Sequence, residues 1–163
     1  MINGISRILA KNVKETFMRN HVNNHFQILS GTWAELEIAA KLVREKVFID
    51  EQNIAADDEW DELDAVSTHF VVRDDEQVIA TARLLQNDSI GRVAVLKSHR
   101  GLGVGYELMA FIIDYAKQTQ RQNLKLSAQV HAISFYQRLG FKQQGSEYLD
   151  CGIPHVDMHM SLA

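Results

Sequence analysis

Apolar and polar residues along this chain recur with two different periods, and the switches between them mark its elements. Phe26-Gln27-Ile28-Leu29 reads as a first strand. A helical period follows: Leu36, Ala39, Ala40, Val43, Val47 and Phe48 share one face, and Thr32 with Glu35 three residues later forms a capping box ahead of it. Asp50–Asp64 breaks the pattern; it is acidic and loop-like, with room for one helical turn. Thr68–Arg73 and Gln77–Leu85 read as a hairpin around Asp74-Asp75-Glu76. Ser89–Leu96 is the fourth strand. A helix over Tyr106–Arg121 comes next, with Leu108, Met109, Ile112, Ile113 and Ala116 at helical spacing and Lys117 and Arg121 near its end, where the dipole favours cations. Asn123–Ala128 is a fifth strand, a short helix through Tyr136 ends at Gly140, and Lys142–Leu149 with Ile153–Ser161 closes the chain as a pair. This order predicts one α/β domain with a mixed sheet over residues 26–163.

Residues 1–25 stand apart as an N-terminal extension. Ile5, Ile8, Leu9, Val13 and Phe17 can share one helical face, and Arg7, Lys11, Lys14 and Arg19 make the stretch basic. A targeting or membrane-surface helix fits that pattern. An extension docked ahead of the domain fits it better, because the stretch lacks the apolar centre of a secretory signal.

Composition narrows the function. At 163 residues and 46% hydrophobic, the chain can bury one sizeable core. A net charge of −4 argues against nucleic acid as a partner. One cysteine, Cys151, cannot form an internal disulfide, which points to a reducing, cytoplasmic setting. No run is apolar and long enough to span a bilayer.

The most telling stretch is Ile90–Gly105, IGRVAVLKSHRGLGVG, where an apolar strand gives way to a basic, glycine-spaced turn that opens into a helix. Such a turn gathers backbone N–H groups at one point, where a phosphate can sit. Two familiar phosphate motifs fail here. The dinucleotide fingerprint needs glycine where Tyr106 stands, and a Walker loop needs Lys-Ser or Lys-Thr after the glycines. By itself the spacing also fits an ordinary strand-to-helix turn.

A second motif lies downstream, in Gln129 to Phe141. Taken together, Arg100, Gly103 and Gly105 with Ala132, Tyr136, Gly140 and Phe141 make the chain resemble the GCN5-related N-acetyltransferase (GNAT) superfamily. The segments Val47–Asn53 and Gly152–His155 are similar to those of the bacterial ElaA-type small acetyltransferases. The resemblance implies a mostly antiparallel mixed sheet whose fourth and fifth strands splay apart to hold the pantetheine arm of acetyl-CoA. It implies that backbone groups of Val93, Ala94 and Val95 pair with that arm, the Val95 N–H facing the thioester oxygen as an oxyanion donor. Arg100, Gly101, Leu102, Gly103, Val104, Gly105 and Tyr106 would hold the diphosphate, with Gln129 in the place of the family's usual Asn. Tyr136 would be the acid that protonates the leaving thiolate.

On the acceptor side, an amine must lose a proton before it attacks. The clustered carboxylates Asp57–Asp64 would attract a cation, and Glu59 and Asp61 are the candidate bases. Arg44, Val47-Phe48, Trp60, Asp64 and Arg83-Leu84-Leu85 also resemble the N-terminal half of acyl-homoserine-lactone synthases, although Trp60 falls inside the acidic motif rather than well before it. In that family Arg and acidic residues organise the acceptor pocket, so Arg44, Arg83 and Arg92 are candidates to line it. His155, Asp157 and His159 alternate on the last strand, and the ordinary polar strand face is a better reading than a metal site. His155, His69 or His131 could reach the acceptor, though each also fits a packed or surface position. Cys151 has no evident partner to make it a nucleophile. The expected activity is acetyl transfer from acetyl-CoA to a small-molecule amine by direct attack. The alternatives are transfer of a longer acyl group, or a CoA-binding sensor without catalysis. An exposed sheet edge offers a route to a homodimer.

Overall fold

A computed structural model describes residues 14–19 and 25–163. Among them, eight strands form one sheet, in the order β1-β2-β3-β4-β5-β6-β8-β7. These are β1 (Lys14–Arg19), β2 (His25–Gly31), β3 (Thr68–Asp74), β4 (Gln77–Leu84), β5 (Ser89–Val95), β6 (Asn123–Gln129), β7 (Lys142–Asp150) and β8 (Ile153–Ser161). The helices are α1 (Trp33–Arg44), α2 (Ala56–Glu59), α3 (Val104–Gln118) and α4 (Ile133–Arg138). The sheet begins inside the stretch read as an extension, because the backbone of β1 pairs antiparallel with β2. A helix through Phe17 is therefore corrected to a strand; the rest of that reading, over residues 1–13 and 20–24, lies outside the described residues.

The capping box forms as the spacing predicts: the Glu35 carboxylate accepts from the Thr32 N–H at 2.7 Å and from its hydroxyl at 3.1 Å. The helical face over Leu36–Phe48 is not one uniform helix. After Arg44 the backbone widens into π-helical turns over Glu45–Glu51, with the Gln52 N–H donating to Val47 O at 3.1 Å. Wider turns of this kind concentrate at functional sites, and here they bring Glu51 and Gln52 to the edge of the cleft described below.

Strand alternation shows where the helices sit. Phe70 and Val72 belong to the core built around α3, whereas Val71 packs with Leu36 and Ala40 of α1, so the two helices cover opposite faces. On β6 and β8, Leu124, Leu126, Val156 and Met158 join the α3 core. The intervening Lys125, Ser127 and Asp157 are exposed on the other face, where α1 does not reach.

All neighbouring strands pair antiparallel except β5 and β6, and that parallel pairing is short. Only Ser89↔Lys125 and Ile90↔Leu126 are in register. The register of β5 on β4 shifts between Thr81 and Arg83, and opposite that shift Arg92 takes φ +52°. A bulge of this kind bends the strand. It turns β5 away from β6 and opens the sheet beyond Ile90, as the resemblance implied.

Candidate functional site

The opening between β5 and β6 is the mouth of a cleft of about 970 Å³. Val93, Ala94 and Val95 line one wall, Leu126, Ser127 and Gln129 the other, and the glycine turn closes one end. Leu96 N–H donates to Ile79 O of β4 at 2.8 Å. Hydrogen-bonding groups alternate sides along a strand, so the N–H and C=O of Val95 point away from β4, toward the gap. Those of Ala94 point back to β4, which corrects its expected backbone contact with the arm; Ala94 serves the cleft through its position in the wall.

At the closed end, Gly101 and Gly103 take φ +77° and +81°, and a Cβ at either would meet nothing within 4 Å. Glycine is required there for backbone conformation, not for packing space. Gly105 differs: its Cβ would rest 3.5 Å from the Phe135 ring and from Val95, an ordinary contact. The cap of α3 is Gly103, which has no side chain to offer, and the first backbone return is Glu107 N–H to Gly103 O at 3.1 Å. The amides of Val104, Gly105 and Tyr106 thus lack intrahelical acceptors and face the end of the cleft with the positive end of the helix dipole. Leu102 stands 44% exposed in the turn and is not among the lining residues.

Arg100 lines the cleft, but its guanidinium is already engaged. Nη1 and Nη2 donate to Glu51 at 2.6 and 2.8 Å, and Nε donates to Val95 O at 2.9 Å. The Arg100 hydrogen bonds hold the Glu51 carboxyl below its usual range. Arg100 thereby ties the end of β5 to the π-helical turns, and a diphosphate contact from its guanidinium would have to displace one of these bonds. Gln129 is likewise engaged, its amide donating to Gln52 Oε1 at 2.9 Å.

Tyr136 lies at the floor of the cleft, its ring edge-on to Phe135 and Phe141. Burial pushes its phenol up to about 12. Its hydroxyl makes no hydrogen bond to the described residues. The ring is thus fixed by packing while the O–H stays protonated and uncommitted.

Beside the cleft, three arginines and three carboxyl groups form one network. Arg44, 1% exposed, lies between the Trp33 and Trp60 rings, and donates to Glu59 Oε1 and to Asp64 Oδ1, both at 2.7 Å. Arg83 grips Asp61 with two bonds of 2.6 and 2.8 Å and reaches Asp64 at 2.8 Å. Arg92 completes the group, 3.3 Å from Glu59 Oε1 and 3.2 Å from Asp61 Oδ2. Burial pushes the Glu59 carboxyl up against the pull of Arg92 and Arg44. Hydrogen bonding from Arg83 holds Asp61 below the carboxylate range, and Asp61 does not line the cleft. Asp61 is therefore a poor proton acceptor, and its expected role as base is corrected to that of an anchor. Glu59 does line the cleft.

His69 is sealed beneath Trp33 at 4.6 Å, its Nε2–H donating to Asp64 O at 2.8 Å; burial pushes its pKa down, and it does not reach the cleft. His131 and His155 do line it, as does Cys151. Desolvation, with Asp150 beside it, pushes the Cys151 thiol up, which disfavours a thiolate nucleophile. The sequence marks Glu51 and Gln52 only as members of the Val47–Asn53 segment, without a role at the cleft edge, and does not mark Tyr148, whose hydroxyl bonds Ser127 and, at 2.7 Å, Asp157. Their roles depend on partners outside their own segment: Arg100 for Glu51, Gln129 for Gln52, and Ser127 and Asp157 for Tyr148. No helix among the described residues is long and apolar enough to cross a membrane.

Comparison with known proteins agrees with this architecture. The family model described as an acetyltransferase (GNAT) domain matches residues 38–162. The uncharacterised N-acetyltransferase YjcF of Bacillus subtilis is 41% identical over 120 residues, covering 71% of this chain and 86% of that protein. The crystal structure of an acyl-CoA N-acyltransferase from Pseudomonas aeruginosa superposes with a TM-score of 0.75 at 31% identity, covering 82% of this chain and 99% of that one. Escherichia coli ElaA gives a TM-score of 0.71 at 30% identity, over 83% and 98% of the two chains.

Proposed function

The chain belongs to the GNAT acetyltransferase family, and on that premise we propose that it moves an acetyl group from acetyl-CoA to the nitrogen of a small primary amine by direct attack. The observation that carries this reading is the coincidence, in one cleft, of the unpaired first-turn amides of α3, the gap-facing Val95 N–H and the uncommitted Tyr136 hydroxyl. The amides bind the diphosphate, and the open edge of β5 takes the pantetheine arm as an added strand. The Val95 N–H meets the thioester oxygen as negative charge develops on it.

Tyr136 then addresses the departing sulfur. A phenol near 12 is a weaker acid than an ordinary thiol at about 8.5, so complete proton transfer to the thiolate is uphill. Tyr136 acts by hydrogen-bonding the sulfur as the C–S bond breaks, and solvent completes the protonation. Glu59, the desolvated carboxylate of the acceptor wall, attracts and orients the ammonium form of the substrate.

A panel of amines with acetyl-CoA, read by the appearance of free thiol, tests this reading. Turnover with a small primary amine is the expected result. Turnover only with long acyl-CoA donors would replace it with the longer-acyl alternative, and tight CoA binding without turnover on any amine would make the protein a sensor.

The glycine turn gives an independent check by calorimetry with CoA. Gly103→Val forces a branched side chain to φ +81° and places it over the amides, so CoA affinity should fall by at least about tenfold. Gly105→Ala meets only ordinary contacts and should bind CoA within about threefold of the parent. Equal loss in both variants would place the diphosphate elsewhere.

A further inference from the structure

Building on the acetyl-transfer reading, the acceptor amine must still surrender a proton inside the cleft, and most candidate groups are spoken for. Glu59 Oε1 is bound by Arg44 and Arg92, Asp61 is forked by Arg83, and the Nε2–H of His69 is donated to the backbone beneath Trp33. His155 differs from all three. The residue is 8% exposed, and its ring runs nearly parallel to Tyr148, with an interplanar angle of 22° and a centroid distance of 6.1 Å. Its Nδ1 lies 2.7 Å from Ile153 O. A carbonyl oxygen can only accept, so Nδ1 carries the hydrogen and the neutral ring keeps its lone pair on Nε2. Nε2 has no partner among the described residues, and His155 lines the cleft.

The sheet register places the residue. His155 pairs with Gln129, the last residue of β6 before the turn that leads into α4 and Tyr136. His155 and Gln129 therefore lie side by side on the face that α1 leaves open, and both line the same cleft as Glu59 and Arg92.

We infer that His155 is the catalytic base, its Nε2 taking the proton that frees the acceptor amine for attack. The ammonium gives one proton to Nε2, which passes it to solvent, and the nitrogen lone pair so exposed forms the new C–N bond. The C–S bond breaks with its electron pair on sulfur. The nitrogen sheds a second proton as the amide forms, and that proton balances the thiolate, which leaves as CoA thiol. One proton is released per turnover.

Two measurements test this. With an amine that the wild-type protein acetylates, His155→Gln should lose about 10²–10⁴ in turnover while CoA affinity and thermal midpoint stay near the parent. His155→Ala should regain activity on addition of imidazole, which a merely structural role would not allow. Turnover within threefold of wild type in His155→Gln would overturn the assignment and leave the acetyl-transfer reading standing. Independently of any activity, nitrogen-detected NMR of the labelled wild-type protein should show the neutral form of His155 with hydrogen on Nδ1 and a pyridine-like Nε2. An Nε2–H tautomer would overturn the assignment even if no amine substrate were found.

Discussion

Tyr136→Phe should lower turnover with acetyl-CoA by about 10²–10⁴-fold and leave CoA affinity essentially unchanged. The substitution removes one oxygen from a ring held edge-on by Phe135 and Phe141, and that oxygen has no partner among the described residues to be left unsatisfied. Packing is therefore preserved, and the thermal midpoint should stay near that of the parent. What disappears is the hydrogen-bond donor that the proposed mechanism assigns to the departing sulfur. Because burial holds the phenol near 12, it stays a donor throughout the neutral range, and the wild-type rate should show no loss from Tyr136 ionisation up to about pH 10. Steady-state kinetics beside calorimetric CoA binding separates the two effects. A Phe variant with full turnover would remove Tyr136 from the chemistry and leave it as a packing residue.

The largest expected effect on stability is at Arg44. It is 1% exposed, lies between two tryptophan rings and neutralises Glu59 and Asp64 at 2.7 Å each. Arg44→Met keeps much of the volume but strands two buried carboxylates, and loss of one partner of a buried ionic group costs about 3–5 kcal/mol. For a chain of this length that corresponds to a fall of roughly 6–20 °C in thermal midpoint.

The penalty should depend on pH with a definite sign. Burial already raises the folded-state pKa of Glu59, and removing Arg44 raises it further. A carboxyl with a raised folded pKa binds more protons folded than unfolded, so stability falls as pH rises above the unfolded value of about 4.3. The variant should therefore lie closer to wild type at pH 5 than at pH 8 in urea titrations. A pH-independent difference would mean that the lost contacts with Trp33 and Trp60, not the stranded charge, carry the effect.

The two variants probe the two halves of the cleft. Tyr136 belongs to the donor half, built from the glycine turn, α3 and α4, in which each functional group is backbone or a side chain fixed by local packing. Arg44 belongs to the other half, in which three arginines hold α2 and the 3₁₀ turn over Glu62–Val66 against α1, β4 and β5. Substitution in the first half should change rates with little change in stability, and substitution in the second should change both.

How legible each half was from the chain follows the same division. The capping box at Thr32 and Glu35, the β3–β4 hairpin and the stop of α4 at Gly140 are signals carried within a few residues, and the structure has them where the spacing puts them. The glycine turn was readable for the same reason, since φ values of +77° and +81° select glycine whatever the surroundings. The charged network was readable only in membership. Arg44, Arg83 and Arg92 were legible as candidates to line one cavity; that all three would bind the acidic segment, with Asp61 an anchor and Arg100 a tie to Glu51, was not. Those bonds join residues 22 and 49 positions apart, and Gln129 reaches Gln52 across 77.

Periodicity, turn chemistry and two glycine-bearing motifs in the sequence were enough to determine the order of the elements and the family to which they belong, because each depends on backbone preferences expressed over one or two turns of chain. The folded sheet alone decided which arginine holds which carboxylate, that β5 bends away from β6 at Arg92, and that His155 lines the cleft with its Nδ1 tied to Ile153 O. Those properties depend on burial and on which strands become neighbours, and neither exists until distant segments have packed together.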